Sequence, residues 1–173
     1  MITDFYSDIE RGKPAETAFA VCFLNFLRIP FTDVSNVRSY QKDDIDFVTP
    51  IGTFEVKGNY KGAGVLIFED YTNNNLELGV ESLGWVYKTK ADQVVFVDEP
   101  NKYFVIILWT SDFKEHYESI KNRYKLNSNR ITTHGNRQWQ SAFRRIPLTA
   151  IDGWYYTHDF VKLNYPREQP YVN

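Results

Sequence analysis

The sequence predicts an α/β or α+β fold in which helices pack on a mixed central β-sheet. Its apolar segments follow the order helix, several strands, helix and a mixed tail. Two of them, residues 94–97 and 103–109, are almost continuously apolar, which is typical of strands covered on both faces. A chain of 173 residues can form one domain with a sizeable core. We therefore expect a single domain over residues 1–173, with a core at 11–125 and a basic, irregular extension at 126–173.

Two helices are predicted from the spacing of apolar residues. The first begins near Lys13 and Pro14, because proline is tolerated in a first helical turn, and it ends before Pro30. Its buried face follows helical spacing and comprises Phe19, Cys22, Phe23, Phe26 and Leu27. The second helix begins at a cap formed by Ser111 or Asp112. It buries a stripe that consists of Phe113, Tyr117, Ile120 and Tyr124.

The strands are predicted from short apolar or alternating runs bounded by turn residues. Residues 46–49 and 53–57 are joined by the turn-like sequence Pro50-Ile51-Gly52. A third short run spans residues 63–68. The apolar runs 94–97 and 103–109 flank residues 98–102, which suit a hairpin loop. After residue 125 the chain is polar, and the pattern indicates no clear element before Arg145-Ile146-Pro147-Leu148.

Charge is distributed unevenly along the chain. The formal net charge is −2, but residues 121–145 contain seven Lys and Arg residues and no Asp or Glu. That segment carries +7, so the other residues together carry −9. A local excess of positive charge suits contact with a phosphate backbone, and it suits a solvated surface connection equally well. Residues 121–145 are called the basic segment below.

Composition and motifs exclude several functional classes. No apolar run is long enough to cross a bilayer, and the N-terminus lacks the basic start of a signal peptide, so we expect a cytoplasmic protein. The single Cys22, read as a core residue, excludes an intramolecular disulfide, and the three His residues fit no zinc-binding spacing. Gly62-Ala63-Gly64 lacks the length and the Lys-Ser/Thr ending of a phosphate-binding loop.

The residues that carry the predicted chemistry lie on the two strands 46–49 and 53–57. Glu55 and Lys57 are two positions apart, so their side chains leave the same face of a strand. Asp46, on the preceding strand, is close enough to bring a second carboxylate beside Glu55. Two neighbouring carboxylates repel each other, and a hard cation such as Mg²⁺ relieves that repulsion. Lys57 can then orient or deprotonate water, or neutralise charge on a phosphate.

Glu16 is a fourth candidate, because it extends the apolar stripe of the first helix toward the N-terminus. A carboxylate on the core-facing side of a helix needs a partner, which a metal site would supply. Each residue also has an ordinary structural interpretation. Glu55 and Lys57 fit the polar face of an edge strand, and Glu16 suits the N-terminal end of a helix dipole. Asp46 follows Asp43 and Asp44, so the three fit an acidic turn and either Asp44 or Asp46 is a candidate ligand.

Taken together, Asp46, a turn and Glu55-Val56-Lys57 resemble the signature of the PD-(D/E)xK nuclease superfamily, with Ile45 in place of the proline. Residues 11–16 resemble the helix that supplies an additional Glu in archaeal Holliday junction resolvases. Residues 85–92 resemble a segment of phage-type members. The resemblance implies a restriction endonuclease-like mixed sheet flanked by helices. It also implies Mg²⁺ or Mn²⁺ held by Asp46 and Glu55 with Glu16 as accessory ligand, Lys57 as catalytic lysine, and Lys88 and Lys90 near the scissile phosphate.

The leading hypothesis is an endonuclease or exonuclease that hydrolyses DNA through metal-activated water. In this hypothesis the basic segment contacts the backbone through Arg130, Arg137, Arg144 and Arg145, and Trp139 offers a stacking surface. One alternative is a non-catalytic nucleic-acid- or protein-binding module that retains the nuclease fold. Another is an RNA-directed nuclease. A homodimer and an origin in a phage that acts in a bacterial host are both left open.

Overall fold

A computed structural model describes residues 13–58, 64–75, 80–98, 101–129, 132–134 and 137–160. These residues form a mixed α+β fold with helices packed against a multi-stranded sheet, as the order of elements predicts. The helices are α1 (residues 13–19, continued by a π-helical turn at Ala20–Asn25), α2 (Arg38–Gln41), α3 (Trp85–Lys88) and α4 (Ser111–Ile120). Among the described helices, none is both long enough and apolar enough to cross a membrane.

The described strands divide into a larger sheet, a smaller sheet and a two-stranded hairpin. In chain order they are β1 (Thr32–Asp33), β2 (Phe47–Thr49), β3 (Gly52–Gly58), β4 (Val65–Asn75), β5 (Val80–Leu83), β6 (Gln93–Asp98), β7 (Tyr103–Leu108), β8 (Leu126–Ser128), β9 (Thr132–His134), β10 (Arg137–Trp139), β11 (Ala142–Pro147) and β12 (Tyr155–Asp159). The larger sheet has the order β1-β2-β3-β6-β7-β12, the smaller sheet has the order β5-β4-β11-β8, and β9 pairs with β10.

The larger sheet is mixed because one of its strand pairs is parallel. β3 runs parallel to β6, with Phe54 opposite Gln93 and Lys57 opposite Phe96. Its other pairs are antiparallel, including the predicted hairpins β2–β3 and β6–β7. At the β2–β3 turn Gly52 has φ of +123°, a conformation that residues with a Cβ rarely adopt. The parallel pair places β3 inside the sheet rather than at its edge.

Helix α1 covers one face of the larger sheet. Phe19 packs against Phe47, Phe54 and Phe104, and the ring centroids lie 5.2–5.9 Å apart. Phe23 is buried as predicted, but Phe26 and Leu27 are each about two-fifths exposed, so this part of the predicted face is wrong. The cause is the π-helical turn at Ala20–Asn25, whose hydrogen bonds span five residues where those of an α-helix span four. The wider turn changes the helical period and buries Leu24 instead.

The opposite face of the larger sheet packs against the smaller sheet and α4. Phe68 of β4 contacts Phe96 of β6 and Tyr117 of α4, with ring centroids 5.6 and 5.0 Å apart. The predicted stripe of α4 is buried at Phe113, Tyr117 and Ile120, and Tyr124 packs against the same core. The predicted cap is wrong by one or two positions, because the Thr110 hydroxyl accepts the hydrogen bond from the Phe113 amide at 3.2 Å.

The segment after residue 125 is not irregular where it is described. β11 lies inside the smaller sheet, between β4 and β8, and its six residues pair along β4. β12 pairs with β7 and forms an edge of the larger sheet. The polar sequence contains no local signal for these strands. They form because they pair with partners more than 40 residues away along the chain. Both sheets therefore contain strands from the predicted extension.

Candidate active site

Glu55 and Lys57 lie on the face of β3 opposite to α1. Their neighbours Phe54 and Val56 belong to the core beneath α1, as strand alternation predicts. Glu55 is 4% exposed, because the face that carries it is covered as well. The interpretation of these residues as the polar face of an edge strand is therefore wrong, since β3 lies between β2 and β6. A carboxylate and an amine on the inside of a sheet need specific partners.

Asp46 lies beside Glu55, immediately before β2. Its amide donates to the Phe54 carbonyl at 2.8 Å, and its carboxylate Oδ2 accepts from the Val56 amide at 2.7 Å. These two bonds fix the Asp46 side chain against β3. Burial raises the pKa of Asp46, while the Val56 amide, Lys57 and a hydrogen bond with the Glu55 carboxyl group act in the opposite direction. Burial together with Asp46 also raises the pKa of Glu55 well above its ordinary value.

Lys57 joins this pair of carboxylates through Glu55. Its ammonium forms an ion pair with Glu55 Oε1 and lies 5.3 Å from the ring centroid of Trp85. Burial by itself would lower the pKa of Lys57, but the Glu55 carboxylate outweighs burial and raises it. The group is therefore an ammonium, held between a carboxylate and an aromatic ring.

Glu16 is coupled to the same charges from α1. Burial, followed by the negative charges of Asp46 and Asp33, raises the pKa of Glu16 to about 7. A hydrogen bond with Ser35 and the positive charge of Lys57 act in the opposite direction. The structure thus brings Asp46, Glu55 and Lys57 together and couples Glu16 to them through charge.

The acidic turn before β2 contributes one more carboxylate. Asp44 has φ of +48°, and its carbonyl accepts from the Thr89 hydroxyl at 3.0 Å. Its Oδ2 atom is buried and has no hydrogen-bond partner among the described residues. Asp43, in contrast, pairs with the exposed Lys90 at 2.8 Å. Asp44 and Asp46 both remain candidate ligands, with Asp46 beside Glu55.

The donor chemistry of this cluster fits a hard divalent cation. Asp46, Glu55 and Glu16 offer only oxygen donors, which Mg²⁺ and Mn²⁺ prefer. Burial raises the pKa of all three carboxyl groups, and a bound cation would favour their charged forms instead. In the part of the chain that the structure describes, no group of three or more His, Cys, Asp or Glu side chains is close enough together to hold a metal. The converging carboxylates are therefore the pair Asp46 and Glu55.

A pocket of about 480 Å³ opens beside Lys57. It is lined by Asp44, Lys57, Gly58, Ile67, Glu69, Thr72, Trp85, Lys88 and Phe96. Lys88 thus shares this pocket with Lys57, whereas Lys90 pairs with Asp43 and does not line it. Gly84 permits this arrangement, since a Cβ at that position would overlap the Glu69 carbonyl oxygen as α3 packs against β4.

Glu69 and Asp70 lie inside β4, two more carboxylates on the strand that borders the pocket. Glu69 lines the pocket and accepts from the Thr72 hydroxyl at 3.0 Å. Asp70 is 2% exposed and accepts from the Tyr117 hydroxyl at 2.5 Å and from Arg144 Nε at 2.7 Å. Long-range pairing of β4 with β11 buries Asp70 and leaves Glu69 half-buried, which their polar character does not indicate.

The four arginines predicted to bind nucleic acid occupy different environments. Arg144 is directed inward, because it donates to Asp70 and to the carbonyls of Lys121 and Tyr124. Arg145 is exposed beside Phe143. Arg130 and the side chains of Arg137 and Trp139 lie outside the described residues. Of the two arginines whose side chains the structure describes, Arg145 is therefore the one that is accessible to a nucleic-acid backbone.

Sequence reasoning missed the functional surroundings of Lys57. Trp85 lies under the lysine ammonium, and Ile67 and Phe96 form the apolar side of the pocket. One signal was available for Trp85, since a glycine followed by an aromatic residue opens the short helix that carries Lys88. For Ile67 and Phe96 the sequence contains no such signal, because apolar residues in strands are ordinarily core residues.

Comparisons with models of protein families, with curated proteins and with solved structures find no match to this chain.

Proposed function

We propose that the protein is a metal-dependent nuclease with a restriction endonuclease-like fold of the PD-(D/E)xK type, and that DNA is its substrate. The observation that carries the proposal is the convergence of Asp46, immediately before β2, with Glu55 and Lys57 of β3. Buried carboxylates that repel each other are costly in a protein without a cation to bind. The strands that carry them are held inside a sheet, which is the rigid support that a catalytic site needs.

Asp46 and Glu55 would hold Mg²⁺ or Mn²⁺, with Asp44 as the alternative to Asp46, and Glu16 would act as an accessory ligand through a water molecule. When bound, the cation lowers the pKa of a water molecule and neutralises negative charge on the phosphate. The Val56 amide fixes the orientation of Asp46 through the 2.7 Å bond to its carboxylate. A site in which the ligand is oriented before substrate arrives loses little free energy to reorganisation.

Lys57 would stabilise the negative charge that develops on the phosphate during hydrolysis. Its ammonium is held by Glu55 and Trp85 and borders the pocket, so it can donate to a phosphate oxygen placed there. The Glu55 carboxylate favours the charged form of the lysine. This geometry favours a role as hydrogen-bond donor over a role as general base. Lys88 adds a second positive charge on the same pocket.

The test compares cleavage and cation binding in matched variants. Glu55→Gln should bind Mg²⁺ or Mn²⁺ far more weakly than the wild type in calorimetry. Lys57→Ala should bind cation but lose cleavage by at least about 100-fold, since it removes charge stabilisation in the transition state. Lys114→Ala, which removes an exposed lysine of α4, is the control and should cleave normally. Equal cation binding by wild type and Glu55→Gln would contradict the site.

A non-catalytic binding module of the same fold is the second candidate. The ion pair between Glu55 and Lys57 favours it, because the lysine already compensates the charge that a cation would otherwise neutralise. A panel of branched, single-stranded and duplex DNA, and the corresponding RNA, distinguishes the two. Binding without cleavage in either Mg²⁺ or Mn²⁺ would favour the module, and cleavage of RNA alone would identify an RNA-directed nuclease.

A further inference from the structure

The pocket beside Lys57 has the size of a site for a small organic ligand. Its volume of about 480 Å³ falls within the range of roughly 300–1,000 Å³ that such sites occupy. A paired duplex is too wide to enter a space of this volume, because its major groove alone is about 12 Å across. Part of a single nucleotide is small enough to enter it. A substrate group that occupies this pocket must therefore be unpaired or extruded from the helix.

The lining of the pocket suits a nucleotide better than an isolated phosphate. Ile67, Trp85 and Phe96 provide an apolar side, from which a bare phosphate would gain nothing. The positive charges of Lys57 and Lys88 are matched by the carboxylates of Asp44 and Glu69. A nucleobase has apolar faces and polar edges, and its phosphate is an anion. A single nucleotide can therefore contact both the apolar side chains and the charged side chains of the lining.

Asp44 supplies the hydrogen-bonding group that the edge of a base requires. Its buried Oδ2 atom lacks a partner among the described residues, and a buried acceptor without a donor costs free energy. Amino and imino groups on base edges are donors, and Asp and Glu carboxylates accept from them in nucleic-acid complexes. Glu69 is already engaged by Thr72, which orients its carboxylate within the same wall. Asp44 thus adds a carboxylate to the pocket lining, as an acceptor for a base edge in a site where Asp46 holds the cation.

We propose that this pocket receives one unpaired nucleotide of the substrate, next to the phosphodiester that lies at Asp46 and Glu55. Lys57 connects the two regions, because it borders the pocket and pairs with Glu55. The proposal rests on the nuclease function proposed above. It assigns the substrate class to DNA with an unpaired nucleotide, at a bulge, a flap or a single-stranded end.

The experiment measures binding without divalent cation, so that it depends neither on cleavage nor on metal. Three labelled duplexes of the same length are compared by fluorescence anisotropy: one fully paired, one with a single unpaired nucleotide and one with an unpaired abasic residue. The abasic duplex is the control, because it keeps the additional phosphate and the local flexibility while it lacks the base. The wild type should bind the base-containing bulge about tenfold more tightly than the abasic one. Equal affinities for these two duplexes would overturn the proposal.

Variants of Ile67 then assign the preference to the pocket. Ile67→Trp fills the pocket and should remove the preference for the base, whereas Ile67→Ala enlarges it and should keep the preference. A folded Ile67→Trp protein that retains the preference would overturn the assignment. A photoactivatable base at the unpaired position provides a measurement on the wild type. It should cross-link to residues that line the pocket, at positions 44, 57–58, 64–72, 84–88 or 96, and cross-links confined to residues elsewhere would contradict the proposal.

The outcomes separate this proposal from the nuclease function. A wild type that prefers the base-containing bulge but cleaves no substrate in Mg²⁺ or Mn²⁺ supports the pocket and contradicts the nuclease. A wild type that cleaves DNA but binds the abasic and base-containing bulges equally supports the nuclease and contradicts the pocket.

Discussion

Arg144 and Arg145 are neighbours in β11, yet their replacement by alanine should have very different effects on stability. Arg144 Nε donates to Asp70 Oδ2 at 2.7 Å, and Nη1 donates to the carbonyls of Lys121 and Tyr124 at 3.0 and 2.5 Å. The side chains of Arg144 and Asp70 are 12% and 3% exposed. Arg145 is exposed, and its guanidinium lies 5.7 Å from the ring centroid of Phe143.

The magnitude follows from what each substitution leaves behind. Arg144→Ala leaves the Asp70 carboxylate buried with the Tyr117 hydroxyl as its remaining described partner, and it removes the donor from two carbonyls. Loss of one partner of a buried ion pair costs about 3–5 kcal/mol of unfolding free energy. Arg145→Ala removes an exposed cation near an aromatic ring, which contributes about 0.5–1 kcal/mol. The expected difference between the variants is therefore roughly 2–4 kcal/mol.

The assay is urea denaturation of both variants and the wild type at neutral pH, in low and high salt. Arg144→Ala should shift the midpoint strongly, and the shift should change little with salt because buried charges are weakly screened. The double variant Asp70→Met with Arg144→Met should recover part of the loss, since it leaves neither charge unpaired. Unfolding free energies of Arg144→Ala and Arg145→Ala within about 1 kcal/mol of each other would refute the reasoning.

Three further predictions follow from the same environments. Glu16 has a pKa of about 7 instead of 4.5, so its contribution to stability is fully present below pH 4.5 and is lost as pH rises through 7. Because this side chain is partly exposed, we expect the metal-free protein to lose roughly 1–2 kcal/mol between pH 5 and 8, and Glu16→Gln should flatten that curve in urea melts. Gly84→Ala should destabilise the protein by about 1–3 kcal/mol in thermal melts, because the new Cβ overlaps the Glu69 carbonyl, and wild-type stability would contradict the close approach. Arg145→Ala should make the log–log salt slope of DNA binding in Ca²⁺ shallower by about one, whereas an unchanged slope would mean that this arginine contacts no phosphate.

The sequence by itself determined the elements whose signal is local. Strand alternation placed Glu55 and Lys57 on the same face of β3 and Phe54 and Val56 on the opposite face, toward the core, and both assignments are confirmed. Helical spacing likewise identified the buried stripe of α4. These patterns depend only on the periodicity of a helix or a strand, and residues that are neighbours along the chain specify that periodicity. They also brought Asp46 beside Glu55, because a turn of two or three residues joins their strands.

The tertiary structure decided which of these faces are covered and which polar groups meet. The same alternation is compatible with an edge strand, but β3 pairs with β6 inside the sheet and the face that carries Glu55 is covered. Arg144 and Arg145 are equivalent in sequence, and the pairing of β11 with β4 directs Arg144 toward Asp70, 74 residues away along the chain. The position of Trp85 under Lys57 likewise depends on the packing of α3 against β4. Local patterns specify a side chain's direction, but its partner depends on free energies summed over distant strands, which no short stretch of sequence contains.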